Sequence, residues 1–258
     1  MLLRCLTLGI LFGLTISTVR PCGAQSGSTN QAHPATTNLL RTLQPPPQTD
    51  ANAAPTRADT SFKYKFENER FYIPFIEVDV TPNGSGGLKF KRGESDETIE
   101  RDLKVLPGTV DRLNRLIDRL SFLTTEDDYQ SKKDFSHLGW ITVTVRRGSR
   151  ERTVRFNYTT NPSINEMADI LRGIATQEID LFDLDLALKH QPLETPRIME
   201  TIESDLRLDR IAEPERIVAA LREIAGDDTL PLIARNHATR LVSAIQKGKY
   251  KGPQRSGK

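Results

Sequence analysis

The chain has 258 residues, 37% of them hydrophobic and 27% charged, which is enough apolar material for one or two domains with a core and too much for a disordered chain. The formal net charge is +2, and the excess sits in Arg4 and Arg20, with no Asp or Glu before position 50 to offset them; beyond that segment, 34 acidic residues are balanced by as many basic ones. A neutral balance supplies no broad basic footprint, so nucleic acid is set aside as a partner.

The N-terminus reads as an export leader: a basic start at Arg4, an apolar run from Leu6 to Val19, and small residues before a cleavage expected after Ala24. The run is shorter than the roughly 20 residues needed to span a bilayer, so no transmembrane segment is expected after cleavage of 1–24. Both cysteines, Cys5 and Cys22, fall inside it, and the mature chain is expected to lack thiol and disulfide chemistry. Residues 25–60, rich in Gln, Ser, Thr, Asn, Ala and Pro and containing Pro45-Pro46-Pro47, have no apolar period and read as a disordered linker. Together these features predict a periplasmic or secreted protein.

From Ser61 the dominant period is two. Phe62, Tyr64 and Phe66 alternate with lysines, and Ile76, Val78 and Val80 alternate with Glu77 and Asp79, as strands with one wet face do. The stretch from Thr81 to Gly87 supplies turn residues, Leu88 and Phe90 resume the apolar face, and a third strand is expected through Leu103 and Val105. A second hairpin can be registered residue by residue. Gly148-Ser149 suits a two-residue turn with glycine first, which places Val143 opposite Val154, Ile141 opposite Phe156, Thr142 opposite Arg155, Thr144 opposite Thr153 and Arg146 opposite Glu151. Only Val145 opposite Arg152 is chemically mismatched.

A helix is expected after each hairpin: Val110, Leu113, Ile117 and Leu120 form one stripe after Thr109 as cap, and Ile164, Met167, Leu171 and Ile174 another after Asn161-Pro162. The order sheet, helix, sheet, helix suggests a structural duplication, although the residue identities of the halves do not match well. Further helices are expected over 178–189, 196–206, 214–225 and 231–246, three of them opening with proline. The predicted fold is α+β: an antiparallel sheet from two hairpin-plus-helix units over 61–176, a small helical bundle over 177–247 docked on it, and a basic tail over 248–258.

The strings DFSHLG (Asp134 to Gly139), RFNY (Arg155 to Tyr158) and LIARNHA (Leu232 to Ala238) resemble those of uncharacterised exported bacterial proteins, most like sets from acidobacteria. The resemblance covers most of the mature chain. It implies a bacterial envelope setting and carries no activity, cofactor or catalytic residue with it.

No catalytic constellation is legible. Of the histidines, His33 lies in the linker, His190 follows a helix, and His237, one turn from Ile233 and Leu241, borders a packed face and reads as structural. His137 stands near Asp134, Tyr129 and Glu126-Asp127-Asp128, which could orient an imidazole, but a polar loop supplies such neighbours by chance and no nucleophile motif accompanies them. The string from Asp79 to Ser85 resembles the start of a calcium loop, yet Phe90 occupies its twelfth position and strands flank it, so a hairpin turn is the better reading. No phosphate loop, nucleophile elbow or metal helix is present, and no cofactor is expected. What remains is a surface: the outer face of the second hairpin, with Trp140, Arg146 and Arg155, and His137 beside it, carries the residue types that favour recognition. The expected role is a non-enzymatic envelope module that binds a protein or polymer, the alternative being an envelope hydrolase with a dispersed site around His137.

Overall fold

Alternation of aromatic and lysine residues from Phe62 to Phe66 builds the central strand of the protein, with one face apolar and the other charged. The structure, a computed structural model, describes residues 57–253 apart from residue 94; the expected leader, linker residues 25–56 and tail residues 254–258 lie outside the described residues. Six strands, β1 (Thr60–Glu67), β2 (Phe75–Val80), β3 (Ser85–Lys91), β4 (Ile99–Lys104), β5 (Trp140–Arg147) and β6 (Arg150–Phe156), form one antiparallel sheet. Their order is β4-β3-β2-β1-β5-β6. The chain is α+β, with the sheet followed by a C-terminal helical part.

Tyr64 of β1 pairs with Val78 of β2 on one side and Val143 of β5 on the other, so the inner face is a continuous apolar layer. The first unit is a four-stranded meander, in which the strand expected through Leu103 is β4 and returns alongside β3. The calcium-like string is a hairpin turn: Asn83 Oδ1 accepts hydrogen bonds from Thr81 Oγ1 and the Ser85 N–H, and Gly84 lies at φ +81°. A Cβ on Gly84 would stand 2.5 Å from the Val105 carbonyl oxygen, whose N–H binds Gly84 O, so the turn needs glycine for both conformation and space.

The β5–β6 register is the one expected from the Gly148-Ser149 turn, pair for pair, with Gly148 at φ +59°. The mismatched Arg152 is accommodated because its guanidinium leaves the sheet, lies 5.1 Å from the Phe122 ring centroid and 5.4 Å from that of Tyr129, and donates to the carbonyls of Phe122 and Asp127.

Two helices cover the inner face. In α1 (Pro107–Leu120), Val110, Leu113, Leu116 and Ile117 are buried. Thr109 lies inside its first turn rather than capping it; Pro107 starts the helix, and the preceding Leu106 N–H is taken by Glu213 Oε1 at 2.8 Å. Asn161 caps α2 (Pro162–His190) as expected, its Oδ1 accepting from the Ser163 and Ile164 N–H groups.

The helices expected on either side of residue 176 are one helix. Thr176-Gln177-Glu178 contains neither Gly nor Pro, and nothing in the sequence ends the helix there. Its N-terminal half buries Ile164, Met167, Leu171 and Ile174 in the sheet core; its C-terminal half places Leu184 in a second core, with Met199, Ile202 and Leu206 of α3 (Thr195–Arg207), Ile217 and Leu221 of α4 (Pro214–Gly226) and Leu241 of α5 (Leu232–Gln246). Between the cores a buried polar cluster joins α2 to the start of α4: Gln177 Oε1 accepts the Glu213 N–H at 3.0 Å, and Arg216 forms an ion pair with Glu178 at 3.1 Å. Burial raises the Glu213 carboxyl above its ordinary pKa, against the hydrogen bonds and the Arg216 charge that favour its ionised form.

At the other end, the fold reaches back past Ser61 to Arg57. Thr60 is fully buried and its Oγ1 accepts from Arg147 Nε at 2.7 Å, while Arg57 Nε donates to Asp118 at 2.7 Å, so residues assigned to the linker pack on α1 and β5.

An unbroken α2 predicts the outcome of Thr176→Pro. Proline in a helix interior removes one backbone bond and clashes with the preceding turn, so urea denaturation should show a loss of about 3 kcal/mol or more. A helix start near Glu178 would instead tolerate proline there, with a change below about 1 kcal/mol.

Candidate functional site

With helices on one face only, the outer face of the sheet is charged, and most of its charges are paired along or across strands. Lys63 meets Glu77 at 3.2 Å and Asp79 at 3.7 Å, Lys65 meets Glu67 at 2.7 Å, and Lys89 meets Glu100 at 2.8 Å. Exposed pairs of this kind contribute little to stability, but they leave the face close to neutral.

One cation without such a pair lies where β5 begins and β6 ends. The Arg155 guanidinium is stacked over the Trp140 ring at 4.5 Å from its centroid, and no carboxylate among the described residues comes within ion-pair distance of it. Such a stack holds the arginine in place while leaving its N–H edge free. Trp140 and Arg155 border a broad, shallow trough of about 890 Å³ whose other sides include Arg70, Phe75, Lys91 and His137. Three of the four candidate residues therefore share one depression. Arg146 does not: it is exposed farther along β5, opposite Glu151.

The loop before β5 owes its shape to Asn157. The Asn157 side chain accepts from Gln130 Nε2 at 2.9 Å and from the Phe135 N–H at 3.2 Å, and donates to Asp134 Oδ1 at 2.6 Å. Asp134 also accepts the Ser136 N–H at 2.8 Å. Its carboxylate thus orders the loop and is not directed to His137, whose exposed ring lies 5.9 Å from that of Phe135. Tyr129 is likewise engaged, stacked on Phe122 beneath Arg152. His237 is buried between helices, its Nε2 2.7 Å from Glu203 Oε2 on α3, in keeping with a structural role.

A second cavity, of about 420 Å³, opens between α2, α3 and the β1–β2 loop and was not anticipated. At its wall Asp180 is only 6% exposed, and its Oδ2 has no hydrogen-bond partner. Burial, reinforced by the nearby Asp205 and Asp183 carboxylates and only partly offset by Arg92, pushes the Asp180 carboxyl up to about 8. Asp180 and Asp183 stand three apart on one face of α2, and this spacing inside the apolar stretch from Ile179 to Leu188 was the available signal. Asp205 comes from α3 and could be placed only by the tertiary fold.

Two outcomes follow. Exposed His137 makes no side-chain hydrogen bond among the described residues, so His137→Ala should shift the unfolding free energy by less than about 0.5 kcal/mol. Asp180 keeps its proton in the folded protein up to about pH 8 but in the unfolded chain only to about pH 4. Its contribution is fully present below the unfolded value and is lost as pH rises toward the folded one, at no more than about 1.4 kcal/mol per pH unit. Unfolding free energies from urea denaturation between about pH 5.5 and 7.5 should therefore fall by roughly 2–3 kcal/mol more in the natural protein than in Asp180→Asn. Parallel curves would mean that Asp180 is solvated and ionised.

No known family model matches the chain, and no curated protein matches its sequence.

Proposed function

We propose that this protein is a non-enzymatic binding module of the bacterial envelope, periplasmic or secreted, that holds a partner protein on the outer face of its sheet around Trp140 and Arg155. The observation that carries this reading is the Arg155–Trp140 stack at 4.5 Å beside an open trough. Tryptophan and arginine are the residue types most enriched among side chains that dominate protein interfaces, and a guanidinium already ordered on a ring loses less freedom on binding. The border is mixed in charge, Arg70 and Lys91 standing with Glu67, Glu69 and Asp96, so the stacked Arg155, which has no carboxylate at ion-pair distance among the described residues, is what favours a partner carboxylate next to an apolar or aromatic group. The anchors stand on paired strands rather than on a loop, which suits a surface that binds with little rearrangement. Against the alternative, a hydrolase around His137, weighs the commitment of Asp134 to Asn157 and Ser136.

A photo-crosslinking residue placed at Thr142, on the same face, tests the reading in the producing bacterium. The expected result is one dominant adduct with a defined protein that is absent when the same residue is placed at Arg222 on α4. In the double variant Trp140→Ala/Arg155→Ala, affinity for that protein should fall by about thirtyfold or more. Equal, unspecific labelling at both positions, or an adduct indifferent to the double variant, would overturn it.

A further inference from the structure

We infer that the cavity at Asp180 is a binding site for a small organic cation, a primary ammonium group on an apolar stem, with Asp180 as its counterion. The charge inventory around the cavity points there. On α2, Asp183 is held by Arg92 from the end of β3 at 2.6 Å. On α3, Asp205 is met by Arg210 at 3.4 Å, and Arg197 is bound to Glu194 of the preceding turn at 2.7 Å. Each carboxylate facing Asp180 thus has its own cation, and Asp180 has none within ion-pair distance among the described residues. Thr176 and Thr201 line the cavity without charge, and Tyr72 stands at its rim, 71% exposed.

A carboxyl group that is 94% buried, with an oxygen lacking any hydrogen-bond partner, lacks one polar partner and, once ionised, one positive charge. A single ammonium supplies both. Beside the paired charges and Gln191, the wall carries the apolar side chains of Ile73, Ile179, Leu186 and Ile198, which suit an alkyl or aryl stem. Among the described residues no three His, Cys, Asp or Glu side chains converge to hold a metal ion, which favours the organic cation over a divalent one. The cavity, at about 420 Å³, is large enough for such a molecule and too small for a folded partner.

Proton balance follows. Near neutrality the empty site carries a protonated Asp180; entry of the ammonium ionises the carboxyl, the cation keeps its own proton, and Asp180 gives one to solvent. Affinity should therefore rise as pH rises and level off once the empty site is already ionised.

The test is titration calorimetry of the full chain with hexylammonium, phenethylammonium and cadaverine, in buffers of different ionisation enthalpy. Hexanol, hexanoate and calcium serve as comparison probes. At least one amine should bind with Kd of about 1 mM or tighter, release close to one proton near neutral pH, and gain up to about tenfold in affinity per pH unit from about pH 6 to 8. Asp180→Asn should abolish that binding while keeping the helical circular dichroism of the natural protein. Failure of all three amines would overturn the inference, as would hexanol binding as tightly as hexylammonium, amine binding without proton release, or unchanged binding in Asp180→Asn. Asp180-dependent uptake of calcium in place of the amines would equally overturn it, in favour of a metal site.

Discussion

A single uninterrupted helix holds this protein together. The 29 residues of α2 belong to two hydrophobic cores at once: the half from Ile164 to Ile179 closes the sheet, and the half around Leu184 closes the C-terminal helices. At the changeover, the helix turns polar residues inward. Gln177 and Glu178 meet Glu213 and Arg216 of the α4 start, and Glu213 reaches on to the Leu106 N–H where α1 begins. A buried cluster of this kind contributes little net stability against an apolar one, but each member left without its partner costs several kcal/mol. Its effect is geometric: the start of α1, the middle of α2 and the start of α4 stay in one arrangement only when all of its partners are present.

Both candidate sites depend on that arrangement. Because α1 and α2 cover the inner face of the sheet, the outer face is left for recognition, and Trp140 and Arg155 are held on neighbouring strands whose register is set by the apolar pairs behind them. The Asp180 cavity lies one turn beyond Gln177, where α2 leaves the sheet and α3 folds back against it. A helix ending at residue 176 would have put Asp180 on a different element, free to turn to water. The continuity of α2 fixes the carboxyl in a buried position near Asp205 and Asp183, with Arg92 only partly offsetting them, and a raised proton affinity is the physical result.

How much of this was legible depended on whether the determining contacts are local. The β5–β6 hairpin was readable to the residue because turn geometry and a period of two together permit one register. The boundaries of α3, α4 and α5 were readable from their prolines and apolar stripes. The boundary at 176 was misread because a helix that changes cores must change its buried face, and on a sequence such a shift of stripe looks like the end of one helix and the start of another. Thr60 looked like linker because its burial comes from Arg147, 87 residues away. The same holds for the sites. Trp140, Arg155 and His137 could be proposed from residue type and strand face, whereas Asp180 depended on α3 and on Arg92, which no local pattern connects to it.

Shared ownership of α2 makes a direct claim about cooperativity: the two cores cannot unfold separately, since the loss of either strips half of the same helix of its packing. Trp140 is the only tryptophan and lies in the sheet, so its fluorescence reports one core, while helical circular dichroism is dominated by the C-terminal helices and α2. Urea denaturation followed by both signals on one sample is the most direct measurement. A shared α2 predicts coincident transitions with the same midpoint and slope; fluorescence and dichroism transitions separated along the urea axis would contradict it.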